Sequence, residues 1–173
     1  MNRTVISVAI YLGAIVLANF MILWFGPAVS IVNAFLLIGL DLSLRDHLHE
    51  VWGGKGLVWK MGLLILAGSG ITVLLNLEAM QIAVASATAF GVAAAGDALV
   101  YHQLRDRIFL FRSNGSNIAG SALDSMIFPL MAFGLFPGVH WIILGQFVAK
   151  IVGGGIWSWI LWKAGGRDAA TVT

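Results

Sequence analysis

The sequence predicts an all-α membrane protein of six transmembrane helices arranged as three hairpins. Three observations carry that reading. Hydrophobic residues make up 60% of the 173-residue chain and charged residues only 10%, against roughly a quarter in a soluble domain, so there is too little polar surface to face water. The apolar stretches run for about twenty residues without the alternation of a barrel strand, the length a helix needs to cross a ~30 Å hydrocarbon core. Lipid also admits only elements that satisfy their backbone N–H and C=O groups internally. The length suits one domain, so 1–173 reads as a single integral membrane domain bound to the lipid bilayer.

The spans follow in order as about 5–25, 28–44, 57–76, 80–104, 117–136 and 139–162. The first begins after one Arg and is not followed by a small-residue cleavage site, so an uncleaved helix is expected rather than a signal peptide. Gly26-Pro27, Leu77-Glu78 and Pro137-Gly138 are tight joints without Lys or Arg, whereas 45–56 and 105–115 are longer and basic. The helices therefore pair as 1-2, 3-4 and 5-6. Arg3, Arg45, Lys55, Lys60, Arg105, Arg107, Arg112, Lys163 and Arg167 all fall on the side of the basic joints. The positive-inside bias makes that side cytoplasmic, with both termini on it; the expected location is the plasma membrane, the inner membrane of a bacterium. Trp24, Trp52, Trp59, Trp141 and Trp162 lie near the span ends and read as interface anchors. Small residues at 68–70, 93–96 and 153–155 permit close helix contact.

An ionisable group in hydrocarbon costs a few kcal/mol on insertion scales, so the polar residues inside the spans are the informative ones: Asn19, Asn33, Asp97, Asn117, Asp124, Gln146 and Lys150. Folding the last hairpin about Pro137 puts Asp124 and Lys150 at equal distance from the turn, roughly 20 Å down each helix. They meet across the fifth and sixth spans. The same reflection sets Phe128 opposite Gln146 and, about Gly26, Asn19 opposite Asn33. Asn117, Ser121, Asp124 and Phe128 recur at helical spacing on one face, and Gln146 and Lys150 repeat the pattern on the next helix. Two facing polar stripes predict a midplane pocket for a small polar ligand. A buried Asp–Lys pair also serves as a register clamp, and buried amides as interhelical glue; both readings stay open beside the ligand role. Asp97 lies toward the cytoplasmic end of the fourth span. Asp41, Arg45, Asp46, His47, His49 and Glu50 read as a solvated cap after the second span, with Asp41 and Arg45 spaced for an ion pair.

The chain has no cysteine, which excludes disulfides, thiolate nucleophiles and Cys-ligated metal. His47, His49, His102 and His140 form no helical ligand pair of the HExxH kind, and no serine stands in a GxSxG element. No cofactor, metal or enzymatic role is expected. The basic residues are spread between spans rather than clustered on one face, so no nucleic-acid partner is expected. Asn114-Gly115-Ser116 matches the glycosylation pattern but falls in a joint assigned to the cytoplasm.

Arg112-Ser113-Asn114-Gly115-Ser116-Asn117, continuing through Gly120 to Asp124-Ser125 and Phe128-Pro129, and then Gly145-Gln146-Phe147 with Lys150, resembles the Putative vitamin uptake transporter family. Ala18-Asn19, Asn33-Ala34-Phe35, Asp41-Leu42 and Arg45-Asp46 resemble that family's first hairpin. The similarity spans nearly the whole chain. It implies a six-helix importer of the 7-deazaguanine queuosine precursors preQ0 or preQ1, similar in fold to the substrate-binding subunits of energy-coupling-factor vitamin transporters. In that reading the substrate-binding set is Asn19, Asn33, Asp97, Asn117, Asp124, Phe128, Gln146 and Lys150. The guanine-like edge donates to Asp124 and accepts from Lys150, Asn or Gln, and Phe20 or Phe128 stacks on the ring. The alternative is a ligand-capturing subunit that needs an ATPase or coupling partner, or uptake of another vitamin-like heterocycle. Whether two copies pair through the glycine-rich faces of the third and sixth spans stays open.

Overall fold

The computed structural model describes residues 3–40, 44, 48, 52, 57–107 and 109–164. Among the described residues six helices follow one another: α1 (Arg3–Phe25), α2 (Val29–Asn33), α3 (Leu57–Leu75), α4 (Met80–Gln103), α5 (Phe109–Phe133) and α6 (Val139–Ala164). α2 runs on through a π-helical turn, Ala34–Ile38. A 3-10 turn, Leu77–Ala79, precedes α4. There is no strand among the described residues. The cap predicted around Asp41, Arg45, Asp46, His47, His49 and Glu50 lies outside the described residues, as does the side chain of Trp162.

Among the described residues, three stretches are long and apolar enough to cross a membrane: Thr4–Phe25, Leu77–Gln103 and Val139–Trp157. α3, over Leu57–Leu75, is also apolar, and Val29–Ile38 is a shorter apolar helix. α5 is long enough but too polar to rank with the first group, because it carries Asn117, Ser121 and Asp124 along one side. A helix of that kind is stable in lipid only when its polar side is covered by neighbours. The chain is an all-α membrane protein.

The turns follow local chemistry. Gly26 ends α1 at φ 75°, a left-handed conformation open to glycine, and its N–H donates to the Ile22 carbonyl at 2.9 Å. Pro27 follows and cannot extend the helix. Asn76, in extended backbone, accepts the Glu78 N–H at 2.9 Å and starts the turn into α4. At the far end of α5, the Gln81 side-chain amide donates to the Ala132 carbonyl at 3.1 Å, supplying a donor to a carbonyl that the helix end leaves open.

The sequence expectation of a basic loop over 105–115 is corrected. α5 begins at Phe109, and only a short turn links it to α4, with the Leu104 N–H donating to Val100 and the Arg107 N–H to Leu104. The most extensively packed pair is therefore α4 against α5, the helices on either side of that turn. Small residues allow it: a Cβ built on Gly120 would stand 3.3 Å from both the Ala93 carbonyl oxygen and the Asp97 Cβ. Elsewhere Gly68 admits Ile15 of α1, and Gly145 admits Ile31 of α2. Among the described glycines the closest approach to another helix's backbone is Gly153 of α6 against the Phe35 carbonyl in the π-helical turn, with Gly39 returning the contact to the Gly153 backbone. In lipid, where burial of apolar groups gives little drive, such backbone proximity supplies the packing. Two apolar clusters flank the interior, one of Ile22, Ile82, Ala85, Ala89, Phe128 and Ala132, the other of Tyr11, Ile15, Leu44 and Met61. Trp24, Trp59 and Trp141 are exposed at helix ends, the position of an aromatic belt. Trp52 instead lies under the Lys60 ammonium, 5.2 Å from its ring centre.

A methyl group at Gly153 has no room, whereas one at Gly155 meets nothing within 4 Å. Gly153→Ala is expected to lower the stability of the purified protein in detergent by about 1–3 kcal/mol, and Gly155→Ala to change it by less than about 0.5 kcal/mol. Thermal unfolding of the two variants side by side checks this.

Candidate functional site

The interior polar residues converge on one ammonium group. Lys150, on α6 and 3% exposed, places its Nζ 2.5 Å from Asp124 Oδ2, while the Asp124 side chain on α5 is 17% exposed. The same Nζ donates to Ser125 Oγ at 2.9 Å and to Gln146 Oε1 at 3.5 Å. A lysine ammonium has three N–H donors, and three acceptors surround this one. Gln146 passes the network on, its Nε2 donating to Ser30 Oγ of α2 at 2.9 Å, and Ser30 donates in turn to the Pro27 carbonyl. Pro129, one turn along α5 from Ser125, has no N–H to give to the Ser125 carbonyl. α5 is thereby loosened beside the lysine.

Two further amides, on α1 and α2, adjoin this network. Asn33 Nδ2 donates to the Ala18 carbonyl at 2.9 Å, linking α2 to α1, and Asn19 Nδ2 donates to Thr72 Oγ1 at 3.3 Å, linking α1 to α3. Asn19 and Asn33 are both buried. The Asn33 Oδ1 atom is buried with no hydrogen-bond partner among the described residues, an open acceptor in a dry interior.

These groups line two chambers that succeed each other along the helices. The larger, ≈ 580 Å³, takes Asn19, Ser30, Asn33, Ser86, Phe128 and Gln146 among its walls. The smaller, ≈ 360 Å³, is lined by Asp97, Asn117, Gly120 and Ser121. Ile38, Phe90, Asp124 and Lys150 line both. Along α4 the order Ser86, Phe90, Asp97 runs from the 77–79 turn toward the 104–107 turn, so the small chamber is the one nearer the basic joint. A septum of one ion pair and two apolar side chains separates the two.

All eight residues singled out in the sequence line one chamber or both. Asn19, Asn33, Phe128 and Gln146 face the large one, Asp97 and Asn117 the small one, and Asp124 and Lys150 sit at the septum. Phe128 packs edge-on against Phe133 with ring centres 5.8 Å apart. Phe20, the other ring proposed for stacking, lines neither chamber; it lies parallel to Trp24 at 5.3 Å. The aromatic side chain common to both chambers is Phe90, which the sequence reading passed over. Its signal was present, since Ser86, Phe90, Ala93 and Asp97 repeat the spacing of four, three and four seen on α5, but Ala-rich surroundings mask it. Ser30 and Ser125 were likewise missed as parts of the network.

A family model described as Putative vitamin uptake transporter matches residues 2–162. The chain belongs to that family. No curated protein and no solved structure matches it. Membership places this membrane protein in a transporter family described by vitamin uptake, and both polar chambers lie inside the matched region.

Removing one partner of a buried ion pair strands the other charge. Lys150→Gln is expected to destabilise the transporter in detergent by about 3–5 kcal/mol, and Asp124→Asn added to it to restore much of that loss. A thermal or denaturant double-mutant cycle measures the coupling; additive effects would refute the pairing.

Proposed function

We propose that this transporter imports a queuosine precursor, a 7-deazaguanine of the preQ0 or preQ1 kind, across the plasma membrane into the cytoplasm. The observation that carries the reading is the septum, where Asp124 and Lys150 stand side by side at the junction of two chambers. A guanine-like edge carries N–H donors next to a carbonyl acceptor, and a carboxylate beside an ammonium is the complementary pair. The substrate edge replaces each partner's contact with the other, so the ion pair opens only when a ligand of matching polarity is present. This limits the cost of separating buried charges. Asn33, with its open Oδ1, and Gln146 supply further polar contacts in the large chamber, and Phe128 and Phe90 supply ring faces for stacking.

Passage then consists of exchange between the chambers. The substrate enters the large chamber, displaces the Asp124–Lys150 contact, and leaves through the small chamber on the side of the basic joint and the termini, taken here as cytoplasmic. Phe90 and Ile38 close the path when the ion pair reforms. The alternative, a capture subunit that needs an ATPase or coupling partner, becomes the reading if the isolated chain binds precursor and moves none.

The test uses cells unable to make either precursor, with queuosine in tRNA as readout. Cells with the native chain are expected to incorporate labelled preQ0 or preQ1, and cells with a well-expressed Asp124→Asn chain to lose at least about 90% of it, the loss expected from one charge-assisted hydrogen bond. Failure of a correctly inserted native chain to import either base would sink the substrate assignment.

A further inference from the structure

The small chamber holds a carboxyl group, that of Asp97, which the Asp124–Lys150 pair does not engage. Between them the chambers contain two carboxylates, Asp97 and Asp124, and one ammonium, Lys150. Lys150 directs its three donors to Asp124, Ser125 and Gln146, which leaves none for Asp97. Asp97 takes part in none of the ion pairs among the described residues, and its Oδ1 is buried without a hydrogen-bond partner. The basic side chains that follow α4, Arg105 and Arg107, are exposed beyond its end. Asp97 as a whole is half-buried, but a carboxylate oxygen enclosed without a donor still carries a desolvation cost.

We propose that the small chamber is a monocation site, in which Asp97, Asn117 and Ser121 take a compact cation. The donor set fits. A carboxylate oxygen, an amide oxygen and a hydroxyl oxygen offer three acceptors, which match the three N–H groups of a primary ammonium or a partly dehydrated Na⁺. Phe90 adds an aromatic wall, and aromatic faces attract cations. Gly120 keeps α5 within reach of α4 here, since a Cβ at that position would stand 3.3 Å from the Asp97 Cβ.

Two sources share this chemistry: an ammonium carried by the transported heterocycle, and a coupling Na⁺. The first rests on the proposed function, because among 7-deazaguanine bases it selects the aminomethyl form over the nitrile. The second stands without it.

The experiment measures thermal unfolding of the purified full chain with methylammonium, Na⁺ or choline as chloride salts, alongside uptake of both precursors. Methylammonium or Na⁺ is expected to raise the unfolding temperature of the native chain above the choline control. Asp97→Asn is expected to weaken the apparent affinity about 10- to 100-fold, the scale of one hydrogen bond to a charge, and Asp97→Glu to retain the response. Should Asp97→Asn fail to accumulate, Asn117→Ala and Ser121→Ala carry the comparison, each weakening the response severalfold. A response to methylammonium together with a preference for the aminomethyl base that Asp97→Asn reduces identifies the substrate's ammonium. A response to Na⁺, with uptake that falls in choline medium, identifies a coupling ion. No stabilisation of the native chain beyond choline, or an undiminished response in Asp97→Asn, overturns the site. Cation stabilisation without uptake of either precursor leaves the site standing and removes the substrate assignment.

Discussion

One lysine ammonium inside a membrane bundle sets the terms for the helices around it. Lys150 is almost wholly buried, and a buried cation is tolerable only if its donors and charge are both met. α5 answers with Asp124 and Ser125, α6 itself with Gln146, and α2 holds Gln146 through Ser30. Three helices are thus fixed in rotation and height by a single nitrogen. The bland reading of such a pair as a register clamp and the functional one are compatible, because an ion pair that fixes register at rest is also the contact a polar ligand must take over.

Packing around this network divides labour by residue size. Where helices need only to stay together, Gly and Ala bring backbones into contact, as at Gly153 against Phe35 and Gly120 against Ala93. Where space is kept, longer side chains stand back from one another, and the two chambers open on either side of Ile38 and Phe90. α5 combines both, with Gly120 on the side that meets α4 and its polar residues toward the chambers. Its polarity, which keeps it out of the group of long apolar spans, follows from lying against cavities rather than lipid.

Much of this was legible in the sequence because hairpin geometry is simple. Equal distances from the turn near Pro137 brought Asp124 and Lys150 together, and they are in contact. Asn19 and Asn33, reflected about Gly26, end one residue apart in practice, with Asn33 bound to the Ala18 carbonyl. The start of α5 was not legible: Arg112, Ser113, Asn114 and Gly115 have the composition of a loop, yet the helix begins before them at Phe109, and propensity is a weak prior that tertiary context overrides. Phe90 was hidden by its Ala-rich neighbours. Phe20 was misassigned because periodicity alone does not say which way an aromatic ring leans, and here it leans onto Trp24.

The π-helical turn at Ala34–Ile38 has a consequence for how relatives of this chain align. A wide turn holds more residues than an α-helical one, and each residue rotates a helix by about 100°. Ser30 and Asn33 before the turn face the large chamber, while Gly39 after it meets Gly153. A homologue with a single-residue deletion in this apolar run would keep the same hydropathy profile and the same predicted span. It would nonetheless present a different side of the helix to α6, so the length of this short stretch, rather than its composition, separates chains that share the chamber from chains that only share the topology.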